Sequence, residues 1–118
     1  CAAARKILGE DYLIGVSAHN PAEAKAALQS GADYLGCGAV FGTATKADVK
    51  KLGTDGLAAI CKAKGLPVVG IGGVTADNYR EVRAAGADGA AIVSGILAQP
   101  DIRATVRAIA KISQEFAK

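Results

Sequence analysis

Two hydrophobic rhythms alternate along this chain: short continuous apolar runs, and longer stretches with an apolar residue every third or fourth position. The first rhythm marks strands and the second marks amphipathic helices. Residues 2–8 read as a short leading helix, and Leu13-Ile14-Gly15-Val16-Ser17 as a strand buried on both faces. A helix follows, with Asn20 as N-cap, Pro21 at the first helical position and Glu23 three residues after the cap. Gly31 stands where a left-handed C-terminal cap belongs. Tyr34-Leu35-Gly36-Cys37 is the next strand, leading into a long connection over residues 38–53.

The second half repeats this plan. Residues 54–64 form a helix that buries Leu57, Ile60 and Cys61, with Gly65 as its stop. Pro67-Val68-Val69-Gly70-Ile71 is a strand ended by Gly72-Gly73, and Thr75 can cap a helix that buries Tyr79 and Val82 and stops at Gly86. Ala90-Ala91-Ile92-Val93 is a fourth strand. A last helix starts near residue 101, with Ile102, Val106, Ile109, Ile112 and Phe116 at helical spacing.

Gly31-Ala32-Asp33 recurs as Gly86-Ala87-Asp88, and at the same offset Asn20 matches Thr75 and Val16 matches Ile71. The repeating unit is strand–helix–strand. Four βα units in parallel order mean an open doubly wound sheet or part of a TIM-type (βα)8 barrel. A whole barrel takes ~250 residues, about twice this length. The reading that fits is a (βα)4 half-barrel, one domain over residues 1–118, because the glycine-rich signals all fall at strand C-termini, where barrel enzymes bind ligands.

Composition narrows the function classes. At 118 residues and 51% hydrophobic, the chain carries one ordered core. No apolar run approaches the ~18 residues of a membrane span, and the N-terminus lacks the apolar centre of a signal peptide. It also lacks an initiator Met, as a processed or cut chain does. Fourteen basic against 11 acidic residues give a net charge of +3, with no basic stripe interleaved by aromatics, which excludes nucleic acid as partner. Cys1, Cys37 and Cys61 share no metal-like spacing. Cys37 and Cys61 read as small buried hydrophobes in a reduced, cytoplasmic setting.

The chemistry concentrates in two places. Gly38-Ala39-Val40-Phe41-Gly42-Thr43-Ala44-Thr45-Lys46 puts two hydroxyls and an ammonium in a loop with glycine at both ends, a cradle for phosphate oxygens. This connection far exceeds the usual ~2–6 residues between strand and helix, and long loops in compact domains carry function. Gly70-Ile71-Gly72-Gly73 with Val93-Ser94-Gly95 forms a second phosphate signal, where the absence of a Cβ at Gly72 and Gly73 lets an anion reach the amides. Lys50 and Lys51 read as solvated. Ser17 ends the first strand and points to the same mouth. His19, the only histidine, has no titratable partner evident nearby and reads as a residue leading into the helix beside the Asn20 cap. Asp33 and Asp88, being repeat-related, fix turns. No Ser/His/Asp set, metal-ligand cluster or Rossmann fingerprint is present.

These residues resemble the thiamine-phosphate synthase family of (βα)8 barrels. The matching stretches are Gly15-Val16-Ser17-Ala18-His19, Gly31-Ala32-Asp33-Tyr34-Leu35-Gly36, Phe41-Gly42-Thr43-Ala44-Thr45-Lys46, Gly70-Ile71-Gly72-Gly73-Val74 and Ile92-Val93-Ser94. The Thr-x-Thr-Lys loop is the specific part. The resemblance implies strands five to eight of the barrel, and a reaction in which hydroxymethylpyrimidine diphosphate and thiazole phosphate give thiamine phosphate and pyrophosphate. It implies Lys46 and Ser17 as catalytic residues on the pyrimidine diphosphate, and Thr43, Ala44, Thr45, Gly73, Val93 and Ser94 on the thiazole phosphate. It further implies Mg²⁺ held by aspartates of the first four strands. Those strands are not in this chain, which is therefore expected to be inactive alone and to need an N-terminal half or a second half-barrel copy. Two alternatives stand beside it. One is a thiazole tautomerase-like enzyme using a histidine near His19, against which the Thr43/Thr45/Lys46 set argues. The other is a non-catalytic phosphate-binding half-barrel that associates through its edge strands.

Overall fold

A computed structural model describes residues 1–41, 52–63 and 65–116. Four strands, β1 (Gly15–Ala18), β2 (Tyr34–Cys37), β3 (Val68–Ile71) and β4 (Gly89–Ala91), pair in the order β1-β2-β3-β4, every pair parallel. Around them run α1 (Ala2–Leu8), α2 (Pro21–Gln29), α3 (Gly53–Lys62), α4 (Tyr79–Ala84), α5 (Ser94–Leu97) and α6 (Ile102–Glu115). A doubly wound sheet reverses its strand order at a switch point. The described strands contain no reversal. Crossovers of one hand between successive neighbours place every intervening helix on the same face of the sheet.

That face holds the core. Ala18 and Cys37 share a row with Gly70, and Leu35 stands beside Val68. All are buried, and Ala18, Leu35, Cys37 and Val68 join Leu57 and Ile60 of α3 and Val82 of α4 in one apolar cluster. The opposite face carries the row Ser17, Gly36, Val69, Gly89. It stays open among the described residues: Ser17, Tyr34 and Ile71 are exposed, and nothing lies within 4 Å of where a Cβ on Gly36 or Gly89 would sit. The described residues therefore form a parallel α/β sheet covered on one side.

The internal repeat has a physical content. Gly31 and Gly86 take φ of 92° and 111°, which glycine tolerates and a side chain does not. Each lets the chain turn back so that the next aspartate meets the start of the preceding strand. Asp33 Oδ2 accepts the Ile14 N–H at 2.7 Å and Asp88 Oδ2 accepts the Val68 N–H at 2.9 Å. Both aspartates fix turns, as expected. The strands match one residue out of step with these turns, however: Val16 pairs with Leu35 as Gly70 pairs with Ala90. The counterpart of Val16 is thus Gly70 and not Ile71, because the chain carries an extra residue between β3 and the next turn.

Arg5 anchors α1, which buries none of its own residues. Its guanidinium donates to the carbonyls of Gly9 (2.9 Å), Tyr12 (2.8 Å) and Gly31 (2.7 Å) and to Asp33 Oδ2 (2.5 Å). The Arg5 guanidinium, followed by the Ile14 N–H, holds the Asp33 carboxyl below its ordinary range. A depressed carboxyl stabilises the fold above its unfolded pKa, and that contribution disappears as pH falls through the folded value. Asp33→Asn should therefore lower the urea midpoint at pH 7. The gap from wild type should begin to narrow below about pH 4, where the unfolded wild type takes up the proton, and be gone only below the still lower folded value. A gap that is the same at both ends of the range would refute the charge-based account.

Several expectations are corrected. The first strand is not buried on both faces: it starts two residues later than the pattern, Leu13 is exposed, and Ala18 rather than Ser17 ends it. The fourth strand ends at Ala91, and α5 begins directly after Val93. Thr75 caps no helix with its side chain; α4 starts after Asn78. Of the apolar positions expected on the last helix, Ile109 is buried and Ile112 and Phe116 are half-buried, but Ile102 and Val106 are exposed.

Candidate functional site at the strand C-termini

The C-terminal ends of parallel strands gather the loops in which such sheets bind ligands. At the end of β1, Asn20 Oδ1 accepts the Glu23 N–H at 2.8 Å, so the expected N-cap forms with Pro21 behind it. Glu23 does not return to the cap's own N–H, as in a capping box. Its Oε1 takes the His19 N–H at 2.9 Å and lies 2.8 Å from His19 Nδ1. His19 leads into the helix as read, but it has a titratable partner one helical turn away. Its ring, followed by its backbone N–H, holds the Glu23 carboxyl below the usual range.

Beyond β2 the chain continues alongside β3, with Val40 N–H to the Ile71 carbonyl at 2.9 Å and Phe41 N–H to the Gly72 carbonyl at 3.0 Å. The returning side is tied to the same stretch: Leu52 N–H donates to the Ala39 carbonyl (2.6 Å) and Gly53 N–H to that of Val40 (3.0 Å). Both shoulders of the long connection thus meet beside Ile71 and Gly72. Thr43, Ala44, Thr45 and Lys46, with Lys50 and Lys51, lie outside the described residues.

Gly72 and Gly73 both have positive φ, 102° and 68°, which turns the chain sharply off the end of β3. The turn is clamped by Asn78, whose Oδ1 accepts the Thr75 N–H (2.8 Å) while its amide donates to the Gly73 carbonyl (3.0 Å). Sequence reasoning passed over Asn78. The available signal was an amide immediately ahead of a helix, since a carboxamide carries an N–H donor and a carbonyl acceptor on separate atoms. After β4, Val93 caps α5 and Ser94 opens it; both are exposed. A Cβ on Gly95 would collide with the Val74 carbonyl and come within 3.2 Å of Thr75 Cα. Gly95 therefore lets the Ser94 turn press against the Gly73 loop.

The described residues thus bring Gly73, Val93 and Ser94 together. Ser17 stands apart, on β1 at the other edge of the sheet, three strand spacings of ~4.8 Å away. Cys37 lies on the covered face, and burial, with Cys61 nearby, pushes its thiol up to about 11. It remains a protonated packing group and supplies no nucleophile. Among the described residues no three His, Cys, Asp or Glu side chains group as metal ligands, and no helix is long and apolar enough to cross a membrane.

The family model for thiamine monophosphate synthase matches residues 1–96. Thiamine-phosphate synthase of Chloroflexus aurantiacus is 46% identical over 120 residues, covering 98% of this chain and 55% of the relative. Its counterpart in Coprothermobacter proteolyticus is 44% identical over 110 residues, covering 93% and 52%. Among solved structures, thiamine phosphate pyrophosphorylase from Pyrococcus furiosus superposes with a TM-score of 0.89 at 38% identity, covering 99% of this chain and 55% of that one. The chain spans about half the length of the curated relatives it matches. On the match to residues 1–96, the chain belongs to the thiamine monophosphate synthase family.

Proposed function

We propose that this chain is the C-terminal half of a (βα)8 barrel, strands five to eight, within a thiamine-phosphate synthase. In that reaction the C–O bond to the diphosphate breaks with its electron pair departing on the diphosphate, and the thiazole nitrogen lone pair captures the methylene carbon. Catalysis is then electrostatic support of the leaving group together with positioning of two substrates. The observation that carries the reading is the pressing of the Ser94 turn onto the Gly73 loop, next to the end of β3 where both shoulders of the connection over residues 38–53 meet. Among the described residues, the uncovered second face and the free edges at β1 and β4 agree with a barrel completed by further strands.

In this reading Lys46 neutralises charge growing on the departing diphosphate and the Ser17 hydroxyl donates to it. Thr43, Ala44, Thr45, Gly73, Val93 and Ser94 hold the thiazole phosphate. The sheet's width gives the two substrates separate places. The described residues make no ligand set for Mg²⁺; we assign its ligands to the other half and route no step through it. The other half is the partner this chain requires, and the setting is cytoplasmic.

The test is reconstitution. The chain joined to the part of the Chloroflexus aurantiacus relative outside the matched stretch should release pyrophosphate and form thiamine phosphate from both substrates, and the chain alone should form none. A folded fusion that is inactive where the relative is active would sink the assignment.

A further inference from the structure

We propose that His19, held in place by Glu23, contacts the substrate diphosphate from the rim of the site, beside Ser17. The proposal rests on the reading of these strand ends as a diphosphate site and adds a residue to it. Burial along the first strand alternates: Ile14 and Ala18 are buried and Val16 half-buried, whereas Gly15, Ser17 and His19 are exposed. Ser17 and His19 therefore look away from the helix-covered core, toward the open face. Ala18 pairs with Cys37, so His19 stands alongside Gly38, where the connection bearing Lys46 departs.

The ring is oriented and not merely exposed. Glu23 Oε1 receives both the backbone N–H of His19 at 2.9 Å and its Nδ1 at 2.8 Å. An ionised carboxylate only accepts, so Nδ1 carries the proton and Nε2 is left for an outside partner. No described residue bonds Nε2, and the imidazole is 65% exposed. A doubly protonated ring donates from both nitrogens, and a phosphate oxygen is the acceptor that gains most from a charged donor. Glu23, from α2, is the charged group bonded to the ring among the described residues. The same bonds also close the first turn of α2. That role alone predicts no response of the ring to an anion.

His19 is the chain's only histidine, so its ring resonances can be read without assignment ambiguity. Inorganic pyrophosphate titrated into the chain near neutral pH should move the Nε2 and Hε1 signals in a saturable way that sodium chloride of equal ionic strength does not reproduce. His19→Gln should weaken pyrophosphate binding about tenfold, the loss of one charged hydrogen bond. Glu23→Gln, a positioning change, should weaken it less and redistribute the ring tautomers. The wild-type titration needs no variant to fold. An unmoved ring overturns the contact. With an active fusion it overturns the contact alone, whereas an inactive fusion sinks the reading beneath it.

Discussion

In the fused synthase, Lys46→Ala should lower kcat roughly 10²–10³-fold, with a much smaller rise in KM for the pyrimidine diphosphate. An ammonium that meets charge as it develops on the leaving group acts mainly in the transition state, and removing such a group depresses kcat rather than ground-state binding. The flanks of its loop are fixed by four backbone hydrogen bonds at Ala39, Val40, Ile71 and Gly72. Lys46→Arg, keeping the charge in a different shape, should recover part of the loss. Steady-state pyrophosphate release measures both variants. An unchanged kcat in Lys46→Ala would remove the lysine from the chemistry.

The second large effect is on stability. Leu57→Ala should cost about 2–5 kcal/mol, read as a lower denaturant midpoint at unchanged m-value. Leu57 is fully buried on α3, the described helix between β2 and β3, and it belongs to the single cluster that joins α3 to the sheet and to α4. Truncation leaves a cavity that the rigid sheet beneath cannot close. The consequence reaches the site, because the first residue of α3, Gly53, donates its N–H to Val40 at the shoulder of the Lys46 connection. Ile60→Val, removing one methyl from the same helix, should cost only about 0.5–1.5 kcal/mol. Equal losses for the two variants would contradict a close-packed interface.

The local chemistry of the chain was legible wherever the deciding atoms lie a few residues apart. Asn20 caps α2 through an N–H three residues on, Pro21 follows it, and Gly31 and Gly86 take the left-handed turns their positions demanded. The strand Tyr34–Cys37 has the bounds its apolar run shows. Glu23 illustrates where such reading stops. Its place three residues after the cap identified the helix start, but whether its carboxylate returns to the cap or takes the imidazole of His19 depends on the angle at which β1 meets α2. Thr75 failed for a related reason: an extra turn after β3 moves the helix start to Asn78, whose amide is spent on the Gly73 loop.

By itself the sequence determined the alternation of strands and helices, the caps and glycine turns, the repeat of Gly-Ala-Asp, and the motifs that mark the family. These depend on backbone sterics and hydrogen bonds between near neighbours, which side-chain identity sets directly. Only the tertiary structure decided, among the described residues, that the strands run β1-β2-β3-β4 without reversal, that one sheet face is left open, that Ile102 and Val106 are exposed, and that Gly95 presses against Val74. Periodicity records which side of an element is apolar and carries no information about what covers it. Contacts between residues distant along the chain exist only once strand order and register have brought those residues together.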